Sequence, residues 1–269
     1  MCGFVVIFHP DGGNYKEKLL NATSAITHRG PDDFGYFHED QISIGFRRLS
    51  IIDLSKNANQ PFFSLDGRYV LVFNGEIYNY IELRNLLIAK GYKFKTSSDT
   101  EVIINSYIEF KEKCLDYFRG MFSFVIWDRQ NKECFFSRDR IGIKPLFIYQ
   151  HKSKVLVLTS EIKSIISIFP EETKENDNIV FKFMSRNFVD DSDDTFFKNI
   201  KQFPKSSFCK LNNSLNIHTK KYWSLETYGT KKFNHEEFKN QFFETIKLHT
   251  RSDVPIAATL SGGMDSSSI

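Results

Sequence analysis

Short runs that are apolar at every position alternate with polar, turn-forming stretches, and two hydrophobic periods are visible. Residues 3–8, GFVVIF, read as a strand buried on both faces. PDGGN then turns the chain, and 15–28 reads as a helix with Leu19, Leu20, Ala22 and Ile26 turned inward. Strand-like runs follow near 42–46, 49–52 and 69–73. Asn79 with Glu82 has capping-box spacing and predicts a helix to about Lys90, with Gly91 as its stop. Ser98 with Glu101 has the same spacing and opens a helix through about Phe110. The runs 121–128, 134–139 and 155–159 predict further strands buried between layers, and 161–167 a helix. EETKENDN at 171–178 is charged, lacks large apolar residues and reads as a loop or linker. After a weakly patterned stretch come strands near 207–211 and 215–222. A helix over 235–249 carries Phe238, Phe242 and Ile246 on one face, and an apolar strand follows at 254–260. Three segments result: a helix-flanked, two-sheet domain over 1–170, a linker with terminal strands over 171–233, and the start of a second domain over 234–269.

Composition narrows the class. The 269 residues are 41% hydrophobic, enough for a proper core. A net charge of +3, with charges mixed along the chain, provides no basic stripe of the kind nucleic-acid binding uses. Cys2, Cys114, Cys134 and Cys209 form no CxxC and have no histidine at metal-ligand spacing, so no metal site is expected. Their scatter suits reduced thiols in the cytoplasm. No apolar run approaches a membrane span, and the start lacks a basic n-region.

The first residues raise a chemical question. A small residue behind the initiator methionine allows that methionine to be trimmed, which would leave Cys2 with both a thiol and a free α-amine. A thiol titrates near ~8.5 and an α-amine near ~7.7–8, close enough for one to pass its proton to the other. A single residue can then attack as thiolate and shuttle the proton to a leaving amine. By itself Cys2 is as well explained as a small residue entering a strand.

Five turn-like segments are unusually specified: THRGPDDFG (27–35), RRLSIID (47–53), FNGEIYN (73–79), SSDTE (97–101) and RDRIGIKPLF (138–147). Taken in order with Cys2, they resemble the class II glutamine amidotransferases, whose glutaminase is an N-terminal-nucleophile hydrolase. Within that class they are most similar to the glutamine-hydrolysing asparagine synthetases. The resemblance implies an α+β fold, a four-layer α-β-β-α sandwich. It implies that Cys2 attacks the side-chain amide of glutamine, with the Asn74 amide and the Gly75 N–H as oxyanion hole. It makes Arg48 the clamp on the substrate α-carboxylate, Leu49 and Ile51 pocket wall, and Glu76 and Asp99 the holders of the α-ammonium. His28, Arg29 and Asp32 are expected to be scaffolding near the thiol. Singly, each of these residues also fits an ordinary turn, surface or helix start.

LSGGMDSSS at 260–268 follows VPIAAT. A Gly-rich turn between a strand and a helix start can cradle phosphate through converging N–H groups. It is no Walker A loop, since Gly-Lys-Ser/Thr is missing. It resembles the pyrophosphate loop of ATP pyrophosphatases, which assigns ATP binding to Leu260, Ser261, Gly262, Gly263, Asp265 and Ser266, and an α/β fold to this second domain. The combined expectation is asparagine synthesis, with ammonia from glutamine passed to an aspartate activated by ATP with Mg²⁺. The glutaminase itself needs no cofactor. The second domain is expected to be truncated, so that this chain is complete only for glutamine hydrolysis. A homodimer is left open. FPKSS at 203–207 and the stretch 171–200 depart from the family pattern and weaken aspartate as the acceptor. The alternatives are another ATP-activated carboxylate, such as a surface-glycan uronic acid, and a non-catalytic remnant.

Overall fold

The computed structural model describes residues 2–188, 191–227 and 232–269. Met1, whose trimming the sequence reading invokes, lies outside them. In chain order the elements are β1 (Gly3–Phe8), α1 (Lys16–Ser24), β2 (Asp33–Glu39), β3 (Ile42–Arg48), β4 (Phe62–Phe63), β5 (Tyr69–Ile77), α2 (Tyr80–Ala89), α3 (Asp99–Phe110), α4 (Cys114–Tyr117), β6 (Gly120–Asp128) and β7 (Glu133–Arg138). There follow β8 (Phe147–His151), β9 (Val155–Thr159), α5 (Ile162–Ile168), α6 (Asp177–Arg186), β10 (Lys201–Gln202), β11 (Ser207–Leu211), β12 (Lys220–Lys221), α7 (His235–His249) and α8 (Met264–Ser268).

Two antiparallel sheets result, ordered β10-β8-β9-β1-β3-β2 and β12-β11-β7-β6-β5-β4. Strand alternation divides their side chains among three cores. Phe4, Val6 and Phe8 of β1 enter the core between the sheets, where they meet Ile44 and Phe46 of β3, Val70 and Val72 of β5, and Val125 and Trp127 of β6. Val5 and Ile7 point the other way, against Leu19, Ala22 and Ile26 of the α1 region and Ile165 and Ile168 of α5. On the far side Leu71, Phe73, Phe124 and Ile126 pack against Val102, Ile103 and Tyr107 of α3 and Leu83 and Leu87 of α2. The order is therefore helix, sheet, sheet, helix. Full burial of each such side chain contributes roughly 1.5–3 kcal/mol.

Several local expectations are revised. Leu20 faces solvent, and α1 stops at Ser24 ahead of a 3₁₀ turn at Thr27–Arg29. Residues 49–52 bend instead of forming a strand. Their peptide groups are already used: Leu49 binds the Cys2 sulfur, and the Ile51 carbonyl accepts from the Asp253 N–H. Asn79 does not cap α2 with its side chain; it bridges instead to the Arg119 N–H and the Tyr117 carbonyl. Only Lys220–Lys221 of 215–222 pair as strand, because Asn212 and Ser214 hold a turn through Leu215. The helix α6 begins inside the expected loop. The run 254–260 is not a strand. It has no partner strand among the described residues, and apolar character alone cannot satisfy a strand's backbone groups.

Candidate active site

Alternation also sets the site. Cys2, Arg48, Asn74 and Glu76 share the parity of Phe4, Phe46 and Val72, so all four belong to the inner face of their strands, where the inter-sheet core ends. There a cavity of about 410 Å³ is lined by Cys2, Arg48, Leu49, Ile51, Asn74, Gly75, Glu76 and Asp99. The eight residues expected at the glutamine site thus meet in one cavity. It is also lined by Ile52, Ala58, Gln60, Phe73, Ser98, Thr100, Met121, Ile143 and Lys144, which the sequence reading did not select.

Cys2 is tied on both sides. Its sulfur lies 3.3 Å from the Leu49 N–H and 3.4 Å from the Leu49 carbonyl. Its own carbonyl accepts from Arg29 Nε at 2.9 Å. Arg29 is held in turn by Glu161, which also binds His28. Asp32 accepts from the Ser50 N–H at 2.8 Å. Gly30 permits this crossing, since a Cβ there would lie 2.4 Å from the Arg47 backbone. Burial pushes the Cys2 thiol up, opposed by the Leu49 N–H and by Arg48. The net direction is up, which favours the protonated thiol.

Arg48 is buried, and no carboxylate lies within ion-pair distance of it among the described residues. Its guanidinium donates to the Ser55 carbonyl at 2.8 Å, to Asn59 Oδ1 at 2.5 Å and to the Asp53 carbonyl. These neutral partners fix the fork without neutralising it, and a buried unpaired cation beside a cavity suits an incoming carboxylate.

Asn74 is fully buried, and neither its Oδ1 nor its Nδ2 has a hydrogen-bond partner. Leaving both unsatisfied is costly, a cost that a polar group entering the cavity would relieve. The neighbouring Gly75 amide follows from register. Phe122, opposite Gly75, donates its N–H to Asp139 Oδ2 at 3.1 Å and accepts the Asp139 N–H at 2.8 Å. That cross-strand pair leaves the Gly75 N–H on the other edge of β5. On the same edge, the Phe73 N–H donates to Gln60 Oε1 at 2.6 Å and the Ile77 N–H to Asp99 Oδ2 at 3.0 Å. A Cβ on Gly75 would sit 2.1 Å from the Met121 carbonyl oxygen, so only glycine fits.

The acidic wall is electrostatically unfavourable when empty. Burial lifts Asp99 from the ordinary 3.8 to about 7, and the nearby Glu76 adds to the rise. Burial raises Glu76 as well, against the pull of Lys144. A buried carboxyl and a half-buried one that both resist ionising suit an incoming cation. Asp99 is presented by the first turn of α3, whose N-cap Ser98 accepts from the Thr100 N–H. Glu101 does not reach back to Ser98 and instead ties the N–H groups of Lys95 and Thr96.

The distal loop is separate. Leu260, Ser261, Gly262, Gly263, Asp265 and Ser266 line no part of this cavity. They form an exposed turn in which the hydroxyls of Ser261 and Ser266 meet at 2.9 Å and Gly262 has φ +80°. Among the described residues other than its chain neighbours, nothing lies within 4 Å of a Cβ built on Gly262, and Ser261 Oγ lies 3.4 Å from one on Gly263. Among the described residues no group of three or more His, Cys, Asp or Glu side chains could hold a metal, and no helix is long and apolar enough to cross a membrane.

Comparison with known proteins decides the family. The model described as "Glutamine amidotransferase domain" matches residues 1–223. The chain belongs to the glutamine amidotransferase domain family. A second model, described as asparagine synthase, matches residues 237–269. Asparagine synthetase [glutamine-hydrolyzing] 1 of Bacillus subtilis is 38% identical over 278 residues, covering 100% of this chain and 43% of the relative. A Gibberella zeae protein named "Amidase chry2" is 33% identical over 291 residues, covering 100% of this chain and 42% of that protein. The chain thus spans less than half the length of these curated relatives. Among solved structures, the glutamine phosphoribosylpyrophosphate amidotransferase of Bacillus subtilis complexed with ADP and GMP superposes with a TM-score of 0.63 at 17% identity, covering 83% of this chain and 50% of that one. The sandwich of this amidotransferase domain is accordingly the N-terminal-nucleophile hydrolase fold.

Lys144 is the most informative residue the sequence reading passed over. It is almost fully buried and lines the cavity from the RDRIGIKPLF turn. Burial pushes its amine down, while Glu76 and Cys2 pull it back up. The signal was present in the sequence as an over-specified turn without an assigned role.

Proposed function

We propose that the chain hydrolyses the side-chain amide of free glutamine at Cys2, as the glutaminase half of a glutamine-dependent asparagine synthetase. One observation carries this reading: a single cavity beside Cys2 is lined by a buried Arg48 without a carboxylate partner, an unpartnered Asn74 amide and two ionisation-resistant carboxyls, Glu76 and Asp99. Cation, hydrogen-bond donor and acidic wall match the α-carboxylate, side-chain carbonyl and α-ammonium of one amino acid.

In this mechanism Arg48 binds the α-carboxylate, and Glu76 with Asp99 binds the α-ammonium. Leu49 and Ile51 contribute wall. Removal of Met1 places the α-amine on the attacking residue. That amine takes the thiol proton as Sγ bonds to the amide carbon, and Asn74 Nδ2 with the Gly75 N–H receives the oxyanion. The proton then passes to the departing nitrogen, ammonia leaves, and water cleaves the thioester to release glutamate. The oxyanion donors contribute on the order of 10²–10³ each.

Residues 1–170 and the strands within 171–233 form the glutaminase in this reading, and 234–269 begins the synthetase. The turn at 260–266 would meet ATP phosphates, with Mg²⁺ entering as their counter-ion. Aspartate is the acceptor this reading favours, from the relatives named asparagine synthetase. The setting is the cytoplasm, with no nucleic-acid or membrane partner.

The test is thiol-dependent ammonia release. The native chain should produce ammonia and glutamate from glutamine in equal amounts, and Cys2→Ala should produce none. Equal release by both would overturn the reading.

A further inference from the structure

We infer that residues 249–253, which precede the Gly-rich turn and lie outside the amidotransferase match, form a strap that positions the glutamine cavity, with Asp253 and Arg251 as positioning residues. The inference deepens the glutaminase reading and rests on it for its substrate.

The strap holds both rims. On one side the Asp253 N–H donates to the Ile51 carbonyl at 2.9 Å, and the Asp53 N–H donates to Asp253 Oδ2 at 2.7 Å. This pair of bonds brackets the segment 51–53, which supplies Ile51 and Ile52 to the cavity wall. On the other side Arg251 grips Glu82 with two bonds of 2.6 Å and donates to the Tyr78 carbonyl at 2.7 Å. His249 stacks on the Tyr78 ring at 3.9 Å. Tyr78 stands two residues beyond Glu76, so the second rim carries part of the acidic wall.

Asp53 converts this docking into site geometry. It sits at φ +54°, in the left-handed region, where aspartate is one of the few non-glycine residues that are enriched. Its carbonyl accepts from Arg48, and its carboxylate binds the N–H groups of Ser55 and Ser97. Ser97 leads into Asp99. A bond from Asp253 to the Asp53 N–H therefore fixes one residue that anchors both the α-carboxylate clamp and the loop before the α-ammonium holder. A surface ion pair such as Arg251–Glu82 contributes little alone; its bidentate geometry matters here because it sets where the strap lies.

The experiment uses the full 269-residue chain with Asp253→Ala, Asp253→Asn and Arg251→Ala. Two readouts are taken: glutamine hydrolysis kinetics, and the rate at which iodoacetamide alkylates Cys2. Cys114, Cys134 and Cys209 are buried, so alkylation reports the site even without turnover. Asp253→Ala should raise the glutamine KM about tenfold, the effect of one lost hydrogen bond, with kcat within about twofold. It should also speed Cys2 alkylation severalfold. Asp253→Asn keeps an acceptor for the Asp53 N–H and should stay near the native chain. Arg251→Ala should shift both readouts in the same direction as Asp253→Ala. Native values of KM and alkylation rate in Asp253→Ala and Arg251→Ala would overturn the strap. Equal damage from Asp253→Asn and Asp253→Ala would overturn the hydrogen bond as its basis. Loss of glutamine turnover in the native chain would sink the glutaminase reading, while the alkylation comparison would still decide the strap.

Discussion

Replacing Asp99 with asparagine separates what the site needs for binding from what the fold needs for stability. Burial and Glu76 lift the Asp99 carboxyl from 3.8 to about 7. At 1.36 kcal/mol per pH unit, that rise amounts to about 4 kcal/mol at most against ionisation in the empty cavity. A carboxyl whose folded value is raised contributes stability that is fully present below its unfolded value. The contribution is lost as pH rises through the folded value. The native chain should therefore lose this stability between about pH 4 and pH 7, and Asp99→Asn should not. The asparagine keeps an oxygen for the Ile77 N–H. Thermal melts at about pH 4 and pH 8 should show the two proteins alike at the lower pH. At the higher pH the variant should melt several degrees above the native chain, at roughly 2–4 °C per kcal/mol. Glutamine should pull the other way: losing a charge-assisted bond to the α-ammonium should raise KM about 10–100-fold. A variant no more stable than the native chain at pH 8 would refute the account of the acidic wall.

Two further outcomes follow from the oxyanion edge. Asn74→Ala should lower kcat by about 10²–10³ while leaving the melting temperature equal or higher, because both polar atoms it removes lack partners in the empty site; initial-rate assays and calorimetry check the pair. Gly75→Ala should fail to accumulate as folded protein, since its Cβ would lie 2.1 Å from the Met121 oxygen and 2.7 Å from Phe122 Cα; soluble yield and circular dichroism check it.

The sandwich was legible where strands are apolar on both faces. GFVVIF, MFSFVIWD and VLVLT correspond to β1, β6 and β9 almost residue for residue. The half-exposed β2 and the short β8 were not, because Asp33–Glu39 and Phe147–His151 lie among turn-rich motifs whose chemistry masked their alternation. At the site, the ordered motifs brought out the residues that meet at the cavity. Lys144 and Gln60 were missed because their roles arise from packing across the sheets, which spacing along the chain does not encode. The run 254–260 failed in the opposite sense, since its pattern is apolar enough for a strand but no partner strand meets it among the described residues. Asp253 shows the same limit: it stands just before VPIAAT and the Gly-rich turn, yet its carboxylate also binds the segment 51–53, some two hundred residues earlier.

The central claim is that one residue supplies both nucleophile and base once the initiator methionine is gone. Treating the chain with a diazoketone analogue of glutamine and mapping the N-terminal peptide by mass spectrometry tests it most directly. The account predicts one covalent adduct, on the sulfur of Cys2, in chains that begin at Cys2, with ammonia release lost in proportion to labelling. Full activity and labelling in chains that still carry Met1, or an adduct on any other residue, would contradict it.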